Sequence, residues 1–213
     1  MSKDYLLEFI KCMESVDRSK HNFEIFQDFL IMASASFNNA IVKDENVENE
    51  YMEVVQRYKD VKPLCELLAI TTMALEQKMH DFLGEVYMSA GFGNKHNGQF
   101  FTPYHMSLCM AKMLVGENIE NEIKEKGYYT LSEPCCGAGG MIIAFANTLL
   151  DKGYNPQKIM KFLGTDIDIG CCRMAYIQTS LLGLKGDIVH GNTLSLEIWR
   201  KFTTPMSYLT LAA

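Results

Sequence analysis

Apolar residues in the first half of the chain recur every three or four positions, the spacing that gathers side chains on one face of an α-helix. Pro63 fits the first turn of one such helix, and a shorter helix is expected around Phe82–Tyr87. We therefore predict an N-terminal helical domain over residues 1–95, with its aromatic residues in the core. The clearest stripes are Tyr5, Leu6, Phe9, Ile10 and Met13; Phe23, Phe26, Phe29, Leu30 and Phe37; and Tyr51, Val54, Val55, Tyr58 and Val61.

Beyond residue 95 the pattern changes, because short apolar runs now alternate with helical stripes. Alternating strands and helices predict a parallel sheet with right-handed crossovers, the mononucleotide-binding half of a doubly wound fold. We expect an α/β protein in which residues 96–213 form a partial Rossmann-like domain. Strands are predicted at 128–133, 161–167, 186–191 and, as a fourth, 206–211, with helices at 140–152 and 170–183.

The stretch "LSEPCCGAGGMII", residues 131–143, places a glycine-rich turn directly after the first strand. Ligands of open α/β sheets bind at the carboxyl ends of the strands, where this turn would lie. The third glycine of a dinucleotide fingerprint is missing, and no Lys-Ser/Thr follows, which excludes a P-loop. Glycines still let a ligand approach the backbone closely. A tight helix entry without any ligand is the alternative.

Two further features could contribute to a binding site. Asp166, at the tip of the second strand, could accept hydrogen bonds from both hydroxyls of a ribose; the alternative is an N-cap for the helix beginning near Gly170. Upstream, Thr102 followed by Pro103 predicts a helix start, with Thr102 as N-cap and Pro103 at the first helical position. The free N–H groups of such a terminus suit a carboxylate.

Cysteine content and hydropathy indicate the cellular compartment of the protein. The chain has seven cysteines, an odd number, and no Cys-x-x-Cys, which favours reduced thiols over a secreted disulfide framework. No apolar run approaches the ~20 residues that span a bilayer. We expect a cytoplasmic protein without membrane contact. The adjacent pairs at 135–136 and 171–172 lack zinc-ligand spacing, so we expect buried, unreactive thiols and no metal.

Charge is unevenly distributed along the chain. The formal net charge is −6, and residues 1–95 carry 10 Lys+Arg against 16 Asp+Glu while residues 96–213 carry 10 of each. An acidic half repels the phosphate backbone of DNA, whose binding depends on cationic contacts. Any role on DNA would therefore require a basic partner or a local basic patch.

Four motifs in order make the sequence resemble a known family. The chain contains "GQFFTP" (98–103), "EPCCGAGG" (133–140), "GTDID" (164–168) and "GNTL" (191–194), preceded by "HDFLGEVY" (80–87). Together they resemble the adenine-N6 DNA methyltransferases of the gamma motif order, especially the methylation subunits of type I restriction–modification systems. The resemblance covers roughly residues 20–200.

The resemblance implies that the ligand is S-adenosylmethionine. S-adenosylmethionine has no pyrophosphate, and its cationic ammonium and sulfonium groups would favour an acidic residue beside the turn. The family's pattern implies that Asp166 binds the ribose. It implies that Asn192 accepts a hydrogen bond from the adenine amine, although the family usually has Asp at that position. Cys136 matches a cysteine common in the family's turn. The residues implied for the methionine part are Gln99, Phe101, Thr102, Glu133, Pro134, Gly137 and Gly139.

The family's catalytic motif, Asn/Asp-Pro-Pro-Phe/Tyr, does not occur in the sequence. Its carbonyl groups accept hydrogen bonds from the target amine while its aromatic residue stacks on the flipped base. We therefore assign no catalytic residue and expect the chain alone to be inactive, truncated before that motif. Alternatives are a non-catalytic S-adenosylmethionine-binding regulator or decoy, and a helical interaction module. Expected partners are DNA through another subunit, a specificity or second methylation subunit, or a second copy of the chain.

Overall fold

The computed structural model describes residues 3–93 and 100–209, with only the backbone at positions 117 and 118. The described elements, in chain order, are α1 (Tyr5–Val16), α2 (Asn22–Asn39), α3 (Glu45–Val55), α4 (Lys62–Gln77), α5 (Phe82–Ser89), α6 (Tyr104–Leu114), α7 (Glu117–Lys126), β1 (Tyr129–Glu133), α8 (Gly140–Asp151), α9 (Pro156–Ile159), β2 (Met160–Asp166), α10 (Ile169–Leu181), β3 (Lys185–Asn192), β4 (Glu197–Thr203) and α11 (Pro205–Leu209).

Helices α1–α5 lie within residues 1–95, and we refer to them below as the helical domain. Phe9 lies at its centre and makes edge-to-face contacts with Phe26, Phe29 and Phe82 at ring-centroid distances of 5.5–6.2 Å. All four rings are buried, and three of them belong to the predicted stripes; Phe23, from the same stripe as Phe26, is 46% exposed, so its predicted place in the core is wrong. Edge-to-face aromatic pairs add stability beyond the burial of their surface, so this cluster holds α1, α2 and α5 together.

The sheet has the order β1-β2-β3-β4, and its first three strands are parallel. Glu133 pairs with Gly164, and Asp166 pairs with His190, so the carboxyl ends of the three parallel strands meet at one edge. The predicted fold class, a helical bundle followed by an α/β sheet, is confirmed. The three parallel strands and the helices after the first two fall within two residues of their predicted bounds.

The predicted fourth strand at 206–211 is wrong. The fourth strand is β4, antiparallel to β3, and residues 205–209 form the short helix α11. Thr204, fully buried, follows the strand, and its backbone N–H and hydroxyl both donate to the carbonyl of Gly186. Pro205 then begins a helix, a position where its missing N–H costs nothing.

Helix α10 joins the two halves of the molecule. It packs between the sheet and α2, and Tyr176 lies edge-on to Phe37 of the helical domain. Glu50 of α3 forms ion pairs with Arg173 of α10 and Arg200 of β4, at 2.9 and 2.7 Å. The buried apolar residues form one continuous core across both halves. Of the helices in the described ranges, none is long and apolar enough to cross a membrane.

Candidate functional site

A cleft of about 190 Å³ opens at the carboxyl end of β1, and we call it the β1 cleft. It lies between the helical domain, the segment before α6 and the glycine turn, which comprises residues 134–139. Among the residues that line it are Asp81, Phe101, Thr102, Ser107, Glu133 and Met141. Segments far apart in sequence therefore share one wall of polar and aromatic groups.

The glycine turn depends on two backbone conformations that favour glycine. Gly137 and Gly139 have φ values of +52° and +94°, which side chains with a Cβ rarely adopt. A Cβ at Gly139 would lie 3.3 Å from Ala175 of α10, and one at Gly137 would lie 3.2 Å from the ring of Phe101. The turn leads into α8, whose N-terminus has no side-chain cap. Its first N–H groups therefore remain available at the cleft.

Asp166 ties β2 to the glycine turn. Its Oδ2 accepts a hydrogen bond from the N–H of Gly137 at 2.8 Å, and its Oδ1 accepts one from the N–H of Asp168 at 2.9 Å. Asp168, not Asp166, is the N-cap of α10, since it accepts from Cys171 N–H. An ionised carboxylate has about four acceptor positions, so Asp166 can still accept from a ligand.

Phe101 and Thr102 reach the glycine turn from the opposite side. The Phe101 ring lies against Gly137 and 5.0 Å from the ring centre of Tyr87, while Thr102 is exposed in the β1 cleft. The predicted N-cap role of Thr102 is wrong. Helix α6 begins at Tyr104 with Pro103 before it in an extended conformation, ψ 133°, and without a side-chain cap. Gln99 lies outside the described residues.

Asn192 closes the turn after β3. Its Oδ1 accepts hydrogen bonds from Leu194 N–H at 2.9 Å and Ser195 N–H at 3.3 Å. The neighbouring Thr193 hydroxyl donates to the carbonyl of Pro134 at 2.5 Å. The Asn192 turn is thus fixed against the glycine turn, while the amide oxygen itself is engaged locally.

Glu133 and the cysteines complete the turn. Glu133 is half-buried, and its carboxylate accepts from Cys135 N–H at 3.3 Å. Cys135 is exposed, so its predicted burial is wrong, because the side chain points from the turn into the open cleft. Cys136 is buried, and burial raises its pKa well above the usual range; burial likewise raises the pKa of Cys172 to about 12. A raised pKa disfavours the thiolate, which is the reactive form of a cysteine.

Sequence reasoning missed two residues of the site, Asp81 and Gln178. Asp81 is the N-cap of α5 and lines the β1 cleft. Gln178, a buried amide on α10, donates to the Asp81 carboxylate at 2.8 Å and to the carbonyl of Ala138 at 2.9 Å. Two features of the sequence could have indicated these residues. Asp81 lies within the motif "HDFLGEVY", and Gln178 is a polar residue in an otherwise buried helix. No cluster of three or more potential metal ligands occurs within the ranges 3–93 and 100–209.

The sequence of this site and its surroundings matches a family model. Residues 78–208, more than half of the chain, match the model described as N-6 DNA Methylase. The chain belongs to the N-6 DNA methylase family. The matched span contains every motif of the predicted resemblance, from "HDFLGEVY" to "GNTL", so that resemblance is confirmed.

One curated relative of the chain is the type I restriction enzyme MpnII methylase subunit of Mycoplasma pneumoniae. The two are 24% identical over 172 residues, covering 76% of this chain and 30% of the relative. The chain thus spans less than a third of that protein. Among solved structures, a class I S-adenosylmethionine-dependent methyltransferase from Listeria monocytogenes is 15% identical, with a TM-score of 0.49, covering 91% of this chain and 55% of that chain.

Proposed function

We propose that residues 1–213 form the S-adenosylmethionine-binding part of an adenine-N6 DNA methyltransferase of the restriction–modification type. The observation that carries the proposal is that the segment before α6 and the tip of β2 both contact the glycine turn, which lines the β1 cleft. Phe101 lies against the glycine turn, and Asp166 is hydrogen-bonded to the same turn through Gly137. A ligand that spans the β1 cleft and the tip of β2 would therefore touch all three.

The chemistry of the cleft fits the two ends of this cofactor. Asp166 keeps acceptor positions for the two ribose hydroxyls, because each carboxylate oxygen accepts one backbone hydrogen bond. At the other end, the uncapped N-terminus of α8 and the exposed Thr102 hydroxyl can donate to the carboxylate of a methionine part. The Phe101 ring supplies an apolar wall between them.

The charge of the cleft favours a cation over a phosphate. Two carboxylates, those of Asp81 and Glu133, line it, and no Lys or Arg is among its described lining residues. Opposite charges attract more strongly where water is partly excluded. S-adenosylmethionine carries an ammonium and a sulfonium, whereas a dinucleotide would bring its pyrophosphate against these carboxylates.

Asn192 suits the adenine amine less well than the usual Asp would. Its only side-chain acceptor, Oδ1, already receives two backbone hydrogen bonds. An aspartate could cap the turn with one oxygen and accept from the adenine with the other. The Asn192 amide N–H groups can instead donate to a ring nitrogen. We therefore expect adenine recognition to be present but weaker than in a family member with Asp.

Methyl transfer needs more than these residues. The carbonyl groups that would bind the target amine belong to the Asn/Asp-Pro-Pro-Phe/Tyr motif, which the 213 residues do not contain. We expect residues 1–213 alone to bind the cofactor without methylating DNA, and to act on DNA together with further chain or a specificity or methylation subunit. The net charge of −6 agrees with DNA contacts made by a partner.

Calorimetric titration with S-adenosylmethionine and its product, S-adenosylhomocysteine, tests this function. Asp166→Ala should weaken binding by ~1–3 kcal/mol, because hydrogen bonds to the charged carboxylate are lost. Asp187→Ala is the matched control, since Asp187 lies at the opposite end of the neighbouring strand, paired with Lys201 and Thr203. It should leave the affinity unchanged.

A flat titration at millimolar ligand would contradict cofactor binding and would favour the helical interaction module. Methylation of an adenine-containing duplex by the purified 213 residues would contradict the dependence on further chain. Binding without methylation agrees with the proposal, and it also agrees with a regulator or decoy. Addition of a subunit that restores methylation separates those two functions.

A further inference from the structure

Asp81 is a buried carboxylate at the bottom of the β1 cleft. It is 6% exposed, and it lies where α5 of the helical domain meets the glycine turn. Its Oδ1 accepts hydrogen bonds from Gly84 N–H at 3.0 Å and from the Gln178 amide at 2.8 Å. Both donors are neutral, so the negative charge is solvated but not neutralised by them.

The second oxygen, Oδ2, occupies a space that two glycines leave open. A Cβ at Gly140, the first residue of α8, would lie 2.9 Å from Oδ2, and a Cβ at Gly84 would overlap it. From the described residues, Oδ2 accepts no hydrogen bond. Within ranges 3–93 and 100–209, the carboxylate is therefore held by Oδ1, while Oδ2 has no hydrogen-bond partner and lies at the cleft.

No cation is paired with Asp81 among the described residues. None of the ion pairs in ranges 3–93 and 100–209 includes it. His80 and Glu85 are the ionisable neighbours that influence it, in opposite directions, and burial raises its pKa. A buried carboxylate without a counter-ion costs stability, and such groups concentrate at functional sites.

Gln178 fixes this carboxylate relative to the glycine turn. Its Oε1 accepts from Leu83 N–H at 3.0 Å, while its amide N–H groups donate to Asp81 and to the carbonyl of Ala138. All hydrogen-bonding groups of the Gln178 amide are thus used to join α5, the turn and α10. Asp81 is consequently a positioned group and not a mobile surface acid.

We propose that Asp81 binds the α-ammonium group of the cofactor's methionine part, with the free Oδ2 as the acceptor. This inference rests on the proposed function, since it assigns one end of the same ligand. It gives the helical domain a direct part in cofactor binding. The ammonium would supply the missing counter-charge, and the neighbouring α8 N-terminus would take the methionine carboxylate.

Two ligands that differ at the methionine end test the inference in the same 213 residues. S-adenosylhomocysteine carries the ammonium, whereas 5′-methylthioadenosine keeps the adenosine and lacks the amino-acid part. Asp81→Asn should raise the Kd of S-adenosylhomocysteine at least about tenfold, as loss of a charge-assisted hydrogen bond predicts. The Kd of 5′-methylthioadenosine should stay within about twofold. Asp28→Asn, at the other buried aspartate among the described residues, is the control and should change the Kd of neither ligand.

Several outcomes would overturn the inference. Asp81→Asn could leave the S-adenosylhomocysteine Kd unchanged, or it could weaken both ligands equally, which indicates a purely structural role. If the variant does not fold, the unmodified protein is titrated with an S-adenosylhomocysteine analogue that lacks the α-amino group. Equal affinity for the analogue overturns the inference, and a loss of at least about tenfold supports it. A protein that binds neither adenosine ligand instead contradicts the proposed function itself.

Discussion

Two aspartates are buried in the described part of the chain, and their surroundings differ. Asp28, on α2, accepts from the Arg57 guanidinium at 2.6 Å and from the Tyr58 hydroxyl at 2.8 Å. Asp81, at the β1 cleft, accepts from a backbone N–H and a neutral amide. The first carboxylate has a cationic partner, Arg57, and the second has none among the described residues.

The difference separates a structural group from a binding group. Arg57 and Tyr58 use both oxygens of Asp28, and the hydrogen bond to Asp28, after burial, raises the pKa of Tyr58. These partners stabilise the fold, and because Asp28 is 1% exposed and already has a cationic partner, it needs no ligand to complete it. Among the described residues, Oδ2 of Asp81 has no hydrogen-bond partner and lies beside a cleft, so this carboxylate lacks a counter-ion there until a cation binds.

The largest effect is expected at Asp28. Asp28→Ala should lower the free energy of unfolding by about 2–3 kcal/mol, because two hydrogen bonds to a charged group are lost. This loss of stability is smaller than that expected for a fully buried ion pair, because the Arg57 side chain is 44% exposed. Urea denaturation measures it. Glu53→Ala, on the exposed face of α3, should change stability by less than about 0.5 kcal/mol, and a similar loss in both variants would contradict the structural role.

A second prediction concerns the space that Gly84 leaves for Asp81. Gly84→Ala should cost about 1–3 kcal/mol, because its Cβ would displace a carboxylate held by two hydrogen bonds. In an Asp81→Ala background the same change should become neutral or stabilise by up to about 1 kcal/mol, since Ala favours helices. Urea denaturation of the four proteins gives the coupling. Additive effects would show that the two residues do not compete for space.

Much of the fold could be predicted from the sequence because its signals are local. The three- and four-residue spacing indicated α5 with Phe82, Leu83, Val86 and Tyr87, and all four are buried. The fourth strand was misplaced because β4 is defined by its antiparallel pairing with β3. A contact of that kind leaves no periodic pattern in the sequence.

The residues of the site likewise divide into those that local sequence signals indicate and those that depend on distant contacts. Glycines with positive φ and an acid at a strand tip follow from the order of elements, so Gly137, Gly139 and Asp166 could be selected in advance. Asp81 could not, because its burial is produced by Gly140 and Gln178, which are distant in the chain. The sequence indicated the helix that carries Asp81 without indicating that the acid faces the cleft.

The smallest effect is expected for Asp81→Asn, and it should depend on pH. Burial raises the pKa of Asp81 in the folded protein above 3.8, its ordinary value, so the folded state holds the proton more tightly than the unfolded state. Stability of the unmodified protein must then fall as pH rises from 3.8 through the folded-state pKa. An asparagine keeps the acceptor oxygen and carries no charge. Without ligand at pH 7, the variant should therefore equal the unmodified protein or exceed it by at most about 1 kcal/mol.

The advantage of the asparagine should disappear towards pH 4, and urea denaturation across that range measures it. His80, Glu85 and Tyr104 lie within electrostatic reach of Asp81, and they are present in both proteins, so the difference curve isolates position 81. Saturating S-adenosylhomocysteine should reverse the order at pH 7, because an ammonium beside Asp81 stabilises the charged form. The contrary result would be a stability difference, variant minus unmodified protein, that is lower at pH 7 than at pH 4. It would mean that the charge of the carboxylate is already neutralised without a ligand.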